Sequence, residues 1–84
     1  MFTILPLSPR QIIILSKHGL LKKWEKQIAF LRTNPRHPSL NTEILEPKEH
    51  GIYSFRIDLK FRAIFFFHED HKTIEILTIT NHYH

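Results

Sequence analysis

Residues 51–84 constrain the fold more than any other part of this chain. Three runs rich in β-branched and aromatic residues follow one another there: 52–59, 61–67 and 72–80. Only Lys60 and the sequence His68-Glu69-Asp70-His71 separate them, so each connection is short enough for a tight turn between antiparallel strands. The pattern predicts a β-meander of three strands.

The first part of the chain predicts one strand followed by two helices. Residues 1–7 are short and apolar, which suits a strand, and Ser8-Pro9 then provides an N-cap serine with proline at the first helical position. This helix is expected to extend to about His18 and to end at Gly19, a residue that readily adopts the left-handed conformation. A second helix follows, because large apolar residues recur at three- and four-residue steps: Leu20 or Leu21, Trp24, Ile28 and Leu31.

Together these elements predict an α+β fold with the order β-α-α-β-β-β. The helices are joined by only one or two residues, so they are expected to form an antiparallel hairpin. This hairpin would lie across one face of a small, mostly antiparallel twisted sheet. A chain of 84 residues is large enough for one modest core, which predicts a single domain spanning residues 1–84.

The charge balance favours an acidic or polyanionic partner. Twelve Lys and Arg against eight Asp and Glu give a formal net charge of +4, and the absence of cysteine excludes disulfides and thiolate metal sites. No apolar run approaches the roughly 20 residues of a membrane span. Pro6, Pro9 and Arg10 interrupt the segment where a signal peptide would lie. We therefore expect a cytoplasmic protein that does not bind membranes.

The connection between the second helix and the meander holds several candidate functional residues. Residues 33–50 contain prolines and show no sustained periodicity, so they predict a loop or a pair of irregular extended pieces. A loop of this length in a compact domain is usually functional. Its charged and titratable side chains are therefore candidates: Arg36, His37, Glu43, Glu46, Lys48 and His50.

Polar residues interrupt the meander strands at positions that can converge on one face of the sheet. In the first strand, Ser54, Arg56 and Asp58 alternate with apolar residues and predict a half-solvated face. In the second strand, aromatic residues flank Arg62. The third has apolar residues on both sides, as expected for a central strand covered on both faces. An arginine beside such a strand is expected in a cleft, where it and the histidines of residues 81–84 would grip a phosphate.

Four short motifs occur in a characteristic order: His37-Pro38-Ser39-Leu40-Asn41-Thr42, Gly51-Ile52-Tyr53-Ser54-Phe55-Arg56-Ile57, Phe61-Arg62-Ala63-Ile64-Phe65 and Asn81-His82-Tyr83. In this order and spacing they resemble the RelE/ParE superfamily of toxins from type II toxin–antitoxin systems. The resemblance extends over essentially the whole chain and implies a small, mostly antiparallel sheet with a helical hairpin on one side. It also implies a ribosome-dependent endoribonuclease that cleaves mRNA and is neutralised by a small acidic antitoxin. ParE-type relatives inhibit DNA gyrase instead.

The resemblance implies specific roles for individual residues. The ending is most similar to that of YoeB-like members, whose strand arginine, C-terminal histidine and terminal tyrosine correspond to Arg62, His82 and Tyr83. Their loop glutamate lies eight residues before the strand-opening glycine, which gives Glu43 here, with Glu46 as the alternative. Some members have a second arginine in or after the last strand, where this chain has other residues: Thr78, Thr80 and Asn81.

RNA cleavage without a metal or other cofactor needs a base, a cation and an acid, and these residues supply all three. Glu43 is expected to accept the proton of the substrate 2′-hydroxyl, and His82 to protonate the leaving 5′ oxygen. Arg62 would hold the phosphate, and Tyr83 would stack on a base or orient the phosphate. Four further cations are expected to bind substrate phosphates or RNA: Arg56, Lys60, Arg36 and Lys48.

Other interpretations of the same residues stay open. Arg62 could simply pair with Asp58 or Glu75 on the sheet surface. His82 and His84 lie two residues apart without a clear third ligand, so no metal site is predicted. The alternative functions are a ParE-like, non-catalytic inhibitor of DNA gyrase and an attenuated module that only binds its antitoxin. The expected partners are an acidic antitoxin, mRNA and the ribosome, with oligomers formed through the antitoxin complex.

Overall fold

The computed structural model describes residues 1–81. Its elements follow in this order: β1 (Thr3–Ile4), α1 (Pro9–Lys17), α2 (Leu21–Thr33), β2 (Glu43–Ile44), β3 (Ile52–Arg56), β4 (Phe61–Phe67) and β5 (Thr73–Asn81). Two 3₁₀ turns, Pro38–Leu40 and Lys48–His50, flank β2. The predicted α+β class is confirmed, and the 33–50 connection contributes one additional short strand. None of the helices described here is long and apolar enough to cross a membrane.

The strands form one five-stranded mixed sheet in the order β1-β5-β4-β3-β2. β1 runs parallel to β5, and the other neighbouring strands are antiparallel. The edge strands β1 and β2 have two residues each, so they present few unpaired backbone groups. β1 is shorter than the predicted 1–7 because its pairing ends where the Leu5 amide donates to Ile74, and Pro6 has no amide hydrogen to continue the ladder.

Both helices pack on one face of the sheet. α1 begins at the predicted place with a capping box, since the Ser8 and Gln11 side chains each accept from the other residue's backbone amide at 3.2 and 2.9 Å. Gly19 follows α1 with a φ of +65°, as expected. The core between helices and sheet is formed by large apolar side chains: Leu15, Leu20, Trp24, Ile28, Leu31, Phe55, Phe65, Ile74 and Ile79.

β3 ends at Arg56, earlier than the predicted strand 52–59. Asp58 Oδ1 accepts the backbone amides of Lys60 and Phe61 at 2.8 and 2.7 Å, so this carboxylate closes the turn at 57–60 instead of lying on a strand. The predicted half-solvated face is also wrong at Ser54, which is only 2% exposed. Its hydroxyl is covered because it accepts a hydrogen bond from a side chain of the neighbouring strand.

β5 is covered by helices on one face only, whereas its sequence predicted cover on both. The β4–β5 register shifts between Ile64 and Phe65, and Leu77 is the extra residue of the resulting β-bulge. A bulge changes the alternation of side chains by one position. Ile76 and Ile79 consequently share the buried face, while Leu77 is 44% exposed.

Two glutamines fasten the helices to the sheet. The buried Gln27 of α2 donates through Nε2 to the carbonyls of Ser39 at 2.9 Å and Arg56 at 2.6 Å. Gln11 of α1 donates through Nε2 to two consecutive carbonyls at the β5 bulge, both at 3.2 Å. Each side-chain amide therefore donates to two backbone carbonyls. Gln27 in this way also links the 33–50 connection to the end of β3.

Replacing Gln27 with alanine is expected to lower the free energy of unfolding by about 1–3 kcal/mol, because the Ser39 and Arg56 carbonyls lose their donor. Urea unfolding followed by the fluorescence of Trp24, the only tryptophan, measures this loss. Glu25→Ala, on the exposed side of the same helix, is the matched control and should stay within about 0.5 kcal/mol of the parent. Equal stability of the two variants would contradict the role given to Gln27.

Candidate active site

Arg62 is a buried cation on the sheet face opposite the helices, here called the open face. The residue is 5% exposed, although Ala63 and Phe65, on the other side of β4, occupy the helix-covered core. Its Cα lies opposite Arg56 on β3 and Thr80 on β5, and residues paired in this way project from the same side of a sheet. The Arg62 side chain therefore projects from the open face, near the turn that joins β3 to β4.

Three hydrogen bonds fix the orientation of this guanidinium group. Nε donates to the Ser54 hydroxyl at 2.9 Å, and Nη2 donates to the Asn41 carbonyl at 2.7 Å and the Ser54 carbonyl at 3.3 Å. Nη1 donates to no other residue in the described range. Hydrogen bonds to Ser54 and Asn41 thus hold two of the three guanidinium nitrogens, Nε and Nη2.

The conformation of the loop at 37–42 places the backbone carbonyl of Asn41 next to Arg62. His37 starts its 3₁₀ turn by accepting the Ser39 amide through Nδ1 at 3.1 Å, and the His37 ring stacks on Phe30 of α2 with centroids 3.9 Å apart. Asn41 ends the turn with a left-handed φ of 47°. In this conformation the Asn41 carbonyl accepts the hydrogen bond from the guanidinium group. His37, which the sequence made a functional candidate, has structural contacts here, with the Ser39 amide and the Phe30 ring.

Glu43 supplies the carboxylate nearest to Arg62. The β2–β3 register places Glu43 opposite Ser54, and its Oε1 lies 3.4 Å from Arg62 Nη2. The side chain of Glu43 is 54% exposed, whereas that of Arg62 is 6% exposed. Of the two glutamates proposed for this position, the structure therefore brings Glu43, and not Glu46, to within ion-pair distance of Arg62.

Asp58 and Glu75, the carboxylates that could have paired with Arg62 on the sheet surface, have other partners. Asp58 Oδ2 lies 3.7 Å from Lys23 Nζ, and Glu75 Oε1 lies 2.8 Å from Nε2 of His68. Within residues 1–81, the hydrogen-bond and ion-pair partners of Arg62 are Asn41, Glu43 and Ser54, and not Asp58 or Glu75.

The charge on Arg62 is set by burial and by two neighbouring ions. Burial lowers the pKa of the Arg62 guanidinium, Glu43 opposes this effect, and the like charge of Arg56 lowers the pKa further. Arginine nevertheless stays protonated at neutral pH because its ordinary pKa is so high. The site therefore combines a permanent, partly desolvated cation with a carboxylate that remains accessible to solvent, and a bound anion would offset part of the desolvation of the cation.

No protein-family model and no curated protein matches the chain, but solved structures match it over nearly its full length. A YoeB/ParE toxin from Agrobacterium tumefaciens is 17% identical, with a TM-score of 0.73 over 98% of each chain. A metal-bound toxin from Helicobacter pylori is 20% identical, with a TM-score of 0.76 over 98% of this chain and 96% of that one. The archaeal RelE–RelB complex from Pyrococcus horikoshii contains a chain 15% identical, with a TM-score of 0.73 over 95% and 93%. The chain has the RelE/ParE toxin fold.

On this RelE/ParE fold, the four additional cations predicted to bind RNA lie in two groups. Arg56 is exposed beside Arg62, and Lys60 is exposed in the turn that joins β3 to β4. Arg36 follows α2 and Lys48 begins the second 3₁₀ turn, both on the surface. Neither Arg36 nor Lys48 is among the hydrogen-bond or ion-pair partners of Arg62.

The C-terminal candidates His82 and Tyr83 lie outside the described residues, as does His84. The position directly opposite Arg62 on β5 is Thr80, so a second arginine does not face it from that strand. Within residues 1–81, no three histidine or acidic side chains are grouped in a way that could hold a metal ion.

Asn41 and Ser54, which hold Arg62 by hydrogen bonds, were not among the functional residues predicted from the sequence. Ser54 could have been recognised as a small hydroxyl residue within an apolar strand, on the same side of the strand as Arg56. Asn41 belongs to the residue types that tolerate the left-handed conformation, but its contribution is a backbone carbonyl, which no side-chain pattern reveals.

Ser54→Ala is expected to lower the free energy of unfolding by about 1–3 kcal/mol, because the buried Nε of Arg62 loses its acceptor. Glu43→Gln should cost less than about 1 kcal/mol, since this partner of the ion pair is half exposed. Urea unfolding of both variants tests the difference, with Ser16→Ala on the exposed side of α1 as the matched serine control. A greater loss for Glu43→Gln than for Ser54→Ala would show that the ion pair, and not the hydrogen bonds, holds Arg62.

Proposed function

We propose that this chain is the toxin of a type II toxin–antitoxin system and that it cleaves mRNA on the ribosome. The proposal depends chiefly on one observation: a cation fixed on the open face has an exposed carboxylate 3.4 Å from its Nη2. A phosphate-binding group and a proton acceptor are thereby adjacent on a surface without a helical cover. The fold shared with YoeB/ParE and RelE toxins supports this function.

In the proposed reaction, the 2′-hydroxyl of the substrate attacks the adjacent phosphorus. Glu43 accepts the hydroxyl proton as the new oxygen–phosphorus bond forms, and the bond to the 5′ oxygen breaks. The products are a 2′,3′-cyclic phosphate and a free 5′-hydroxyl, for which His82 is the proposed proton donor. Transfer of a proton by a positioned side chain typically contributes roughly 100- to 10,000-fold to the rate, and no step in this scheme requires a metal ion.

Arg62 stabilises the negative charge that grows on the phosphate oxygens. Because Ser54 and Asn41 already fix its plane, little reorientation is needed when the phosphate arrives, and such preorganised donors are among the largest contributions to catalysis. Glu43 lies on the exposed side of this cation, where a substrate hydroxyl can reach it. Tyr83 is proposed to stack on a substrate base or to orient the phosphate.

The proposed partners follow from charge and from the complexes in which this fold occurs. A protein with a formal charge of +4 attracts both RNA and an acidic antitoxin, and one structure with the same fold is a RelE–RelB complex. We place the toxin in the cytoplasm, as a single domain whose activity an antitoxin masks and whose cleavage requires the ribosome to position the mRNA.

Primer extension on a defined mRNA in a translating ribosome extract tests the nuclease proposal. The parent chain is expected to cut in codon register. Removing one transition-state donor with Arg62→Ala should reduce the cleavage rate by roughly 100- to 1,000-fold, and Glu43→Gln by roughly 100- to 10,000-fold. Arg10→Ala removes an exposed arginine of α1 and should leave cleavage unchanged, while Arg62→Lys keeps the positive charge and tests whether the planar fork is required.

Each alternative function predicts a different outcome of the same experiment. If the mRNA stays intact while the parent chain still arrests growth, the nuclease proposal is wrong and a DNA gyrase supercoiling assay becomes the next test. If the parent chain neither cuts mRNA nor arrests growth but binds its antitoxin, it is the attenuated module. Circular dichroism of each variant separates loss of activity from loss of folding.

A further inference from the structure

A cleft of about 670 Å³ opens between α2 and the turn 57–60, and Arg62 is not among its lining residues. Its volume lies within the roughly 300–1,000 Å³ of small-molecule sites. One wall comes from the first half of α2 and the end of α1, and the other from the end of β3, the turn and the start of β4. None of the roles proposed above uses this cleft as a whole.

The cleft is strongly basic. Four of its lining residues are cations: Lys23, Lys26, Arg56 and Lys60. Asp58 is the carboxylate among the lining residues, and its oxygens are already engaged, since Oδ1 accepts the two turn amides and Oδ2 lies 3.7 Å from Lys23. The excess of positive charge, with no competing free carboxylate in the lining, favours an anionic ligand.

The cleft also offers apolar and aromatic surface, which a site for a simple inorganic anion would not need. Phe61 and His18 line it with ring centroids 4.7 Å apart. Leu59, another lining residue, is 80% exposed at the tip of the turn. Nucleic-acid bases pack on side chains of this kind while cations hold their phosphates.

Arg56 connects the cleft with the candidate active site. It lines the cleft, and in the β3–β4 register it lies directly opposite Arg62. The like charge of Arg56 also lowers the pKa of Arg62. A strand of RNA with one phosphate at Arg62 would therefore pass Arg56, at the end of β3, where it enters the cleft.

We propose that this cleft binds one nucleotide of single-stranded RNA next to the phosphate held by Arg62. The base packs against Leu59 and the Phe61–His18 pair, and its phosphate is held by Lys26 and Lys60. As a substrate subsite, it rests on the proposed ribonuclease function, and its role is to position the strand relative to Arg62 and Glu43. A nucleotide is favoured over an acidic protein segment because the apolar wall matches a planar base.

Fluorescence anisotropy with a labelled 2′-O-methyl RNA hexamer tests the subsite apart from cleavage, since this probe lacks the attacking hydroxyl. The Lys26→Gln/Lys60→Gln variant should bind at least about tenfold more weakly than the parent. Its dependence of log affinity on log salt should be shallower by about 1.4, or roughly 0.7 for each lost phosphate contact. Lys22→Gln/Lys72→Gln removes the same charge from exposed positions outside the cleft and is the matched control.

Titration with adenosine 5′-monophosphate and with inorganic phosphate, followed by NMR, tests the base contact. The nucleotide should shift the signals of His18, Leu59 and Phe61. Leu59→Ser should weaken nucleotide binding and leave phosphate binding unchanged, whereas Ile13→Ser, at another exposed apolar position, should affect neither. Both substitutions are on the surface, so folding is expected to be retained.

Four results would overturn the subsite: no saturable binding of the hexamer, equal weakening by the two double-lysine variants, normal mRNA cleavage by Lys26→Gln/Lys60→Gln, or stronger competition from an oligoglutamate peptide than from unlabelled RNA. The last would make the cleft a site for an acidic protein. Failure of the nuclease proposal is recognised separately. If the chain binds the hexamer in the cleft but leaves mRNA intact, only the nuclease proposal is wrong. If the Lys26→Gln/Lys60→Gln variant cuts mRNA normally, only the subsite proposal is wrong.

Discussion

A guanidinium group can be buried in a small protein only where acceptors meet its nitrogens, because an unsatisfied buried charge is strongly destabilising. In this chain that requirement joins three segments that are distant in sequence. The loop at 37–42 turns its Asn41 carbonyl toward Arg62, β3 provides both oxygens of Ser54, and β2 brings Glu43 alongside. The short strand β2 and the left-handed Asn41 are therefore best understood as parts of the enclosure around one cation.

The second constraint is that two short helices can cover only one face of the sheet. The β5 bulge at Leu77 keeps Ile76 and Ile79 on the covered side, and the same region accepts hydrogen bonds from Gln11 of α1. Gln27 of α2 also donates hydrogen bonds, which join this helix to the 33–50 connection and to the end of β3. The helical layer is thus fixed relative to the strands, and the opposite face stays open around Arg62.

Local patterns were sufficient for the helices and the three meander strands but not for β2 or for the details of the site. Ser8-Pro9 and Gly19 are short-range signals, and α1 begins and ends where they predict. Asp58 was assigned to a strand because alternation alone does not reveal that its carboxylate closes a turn. The bulge at Leu77 was equally invisible, since two adjacent apolar residues fit a doubly covered strand and a bulged, singly covered one. The pairing of Arg62 with Glu43 depends on the β2–β3 register, which residues far apart in sequence determine together.

The unequal burial of Arg62 and Glu43 gives the proposed chemistry its direction. The Arg62 side chain is 6% exposed and is anchored by hydrogen bonds through two nitrogens. The Glu43 side chain is 54% exposed, and its Oε1 lies 3.4 Å from Arg62 Nη2. Moving the cation would leave Ser54 and Asn41 without their donor, so on arrival of a phosphate the carboxylate is the partner that moves. Repulsion between the phosphate and Glu43 favours that movement, while the attraction of Arg62 limits it. In the proposed reaction, a carboxylate displaced a short distance from the fixed cation would remain beside the 2′-hydroxyl of the nucleotide whose phosphate Arg62 binds.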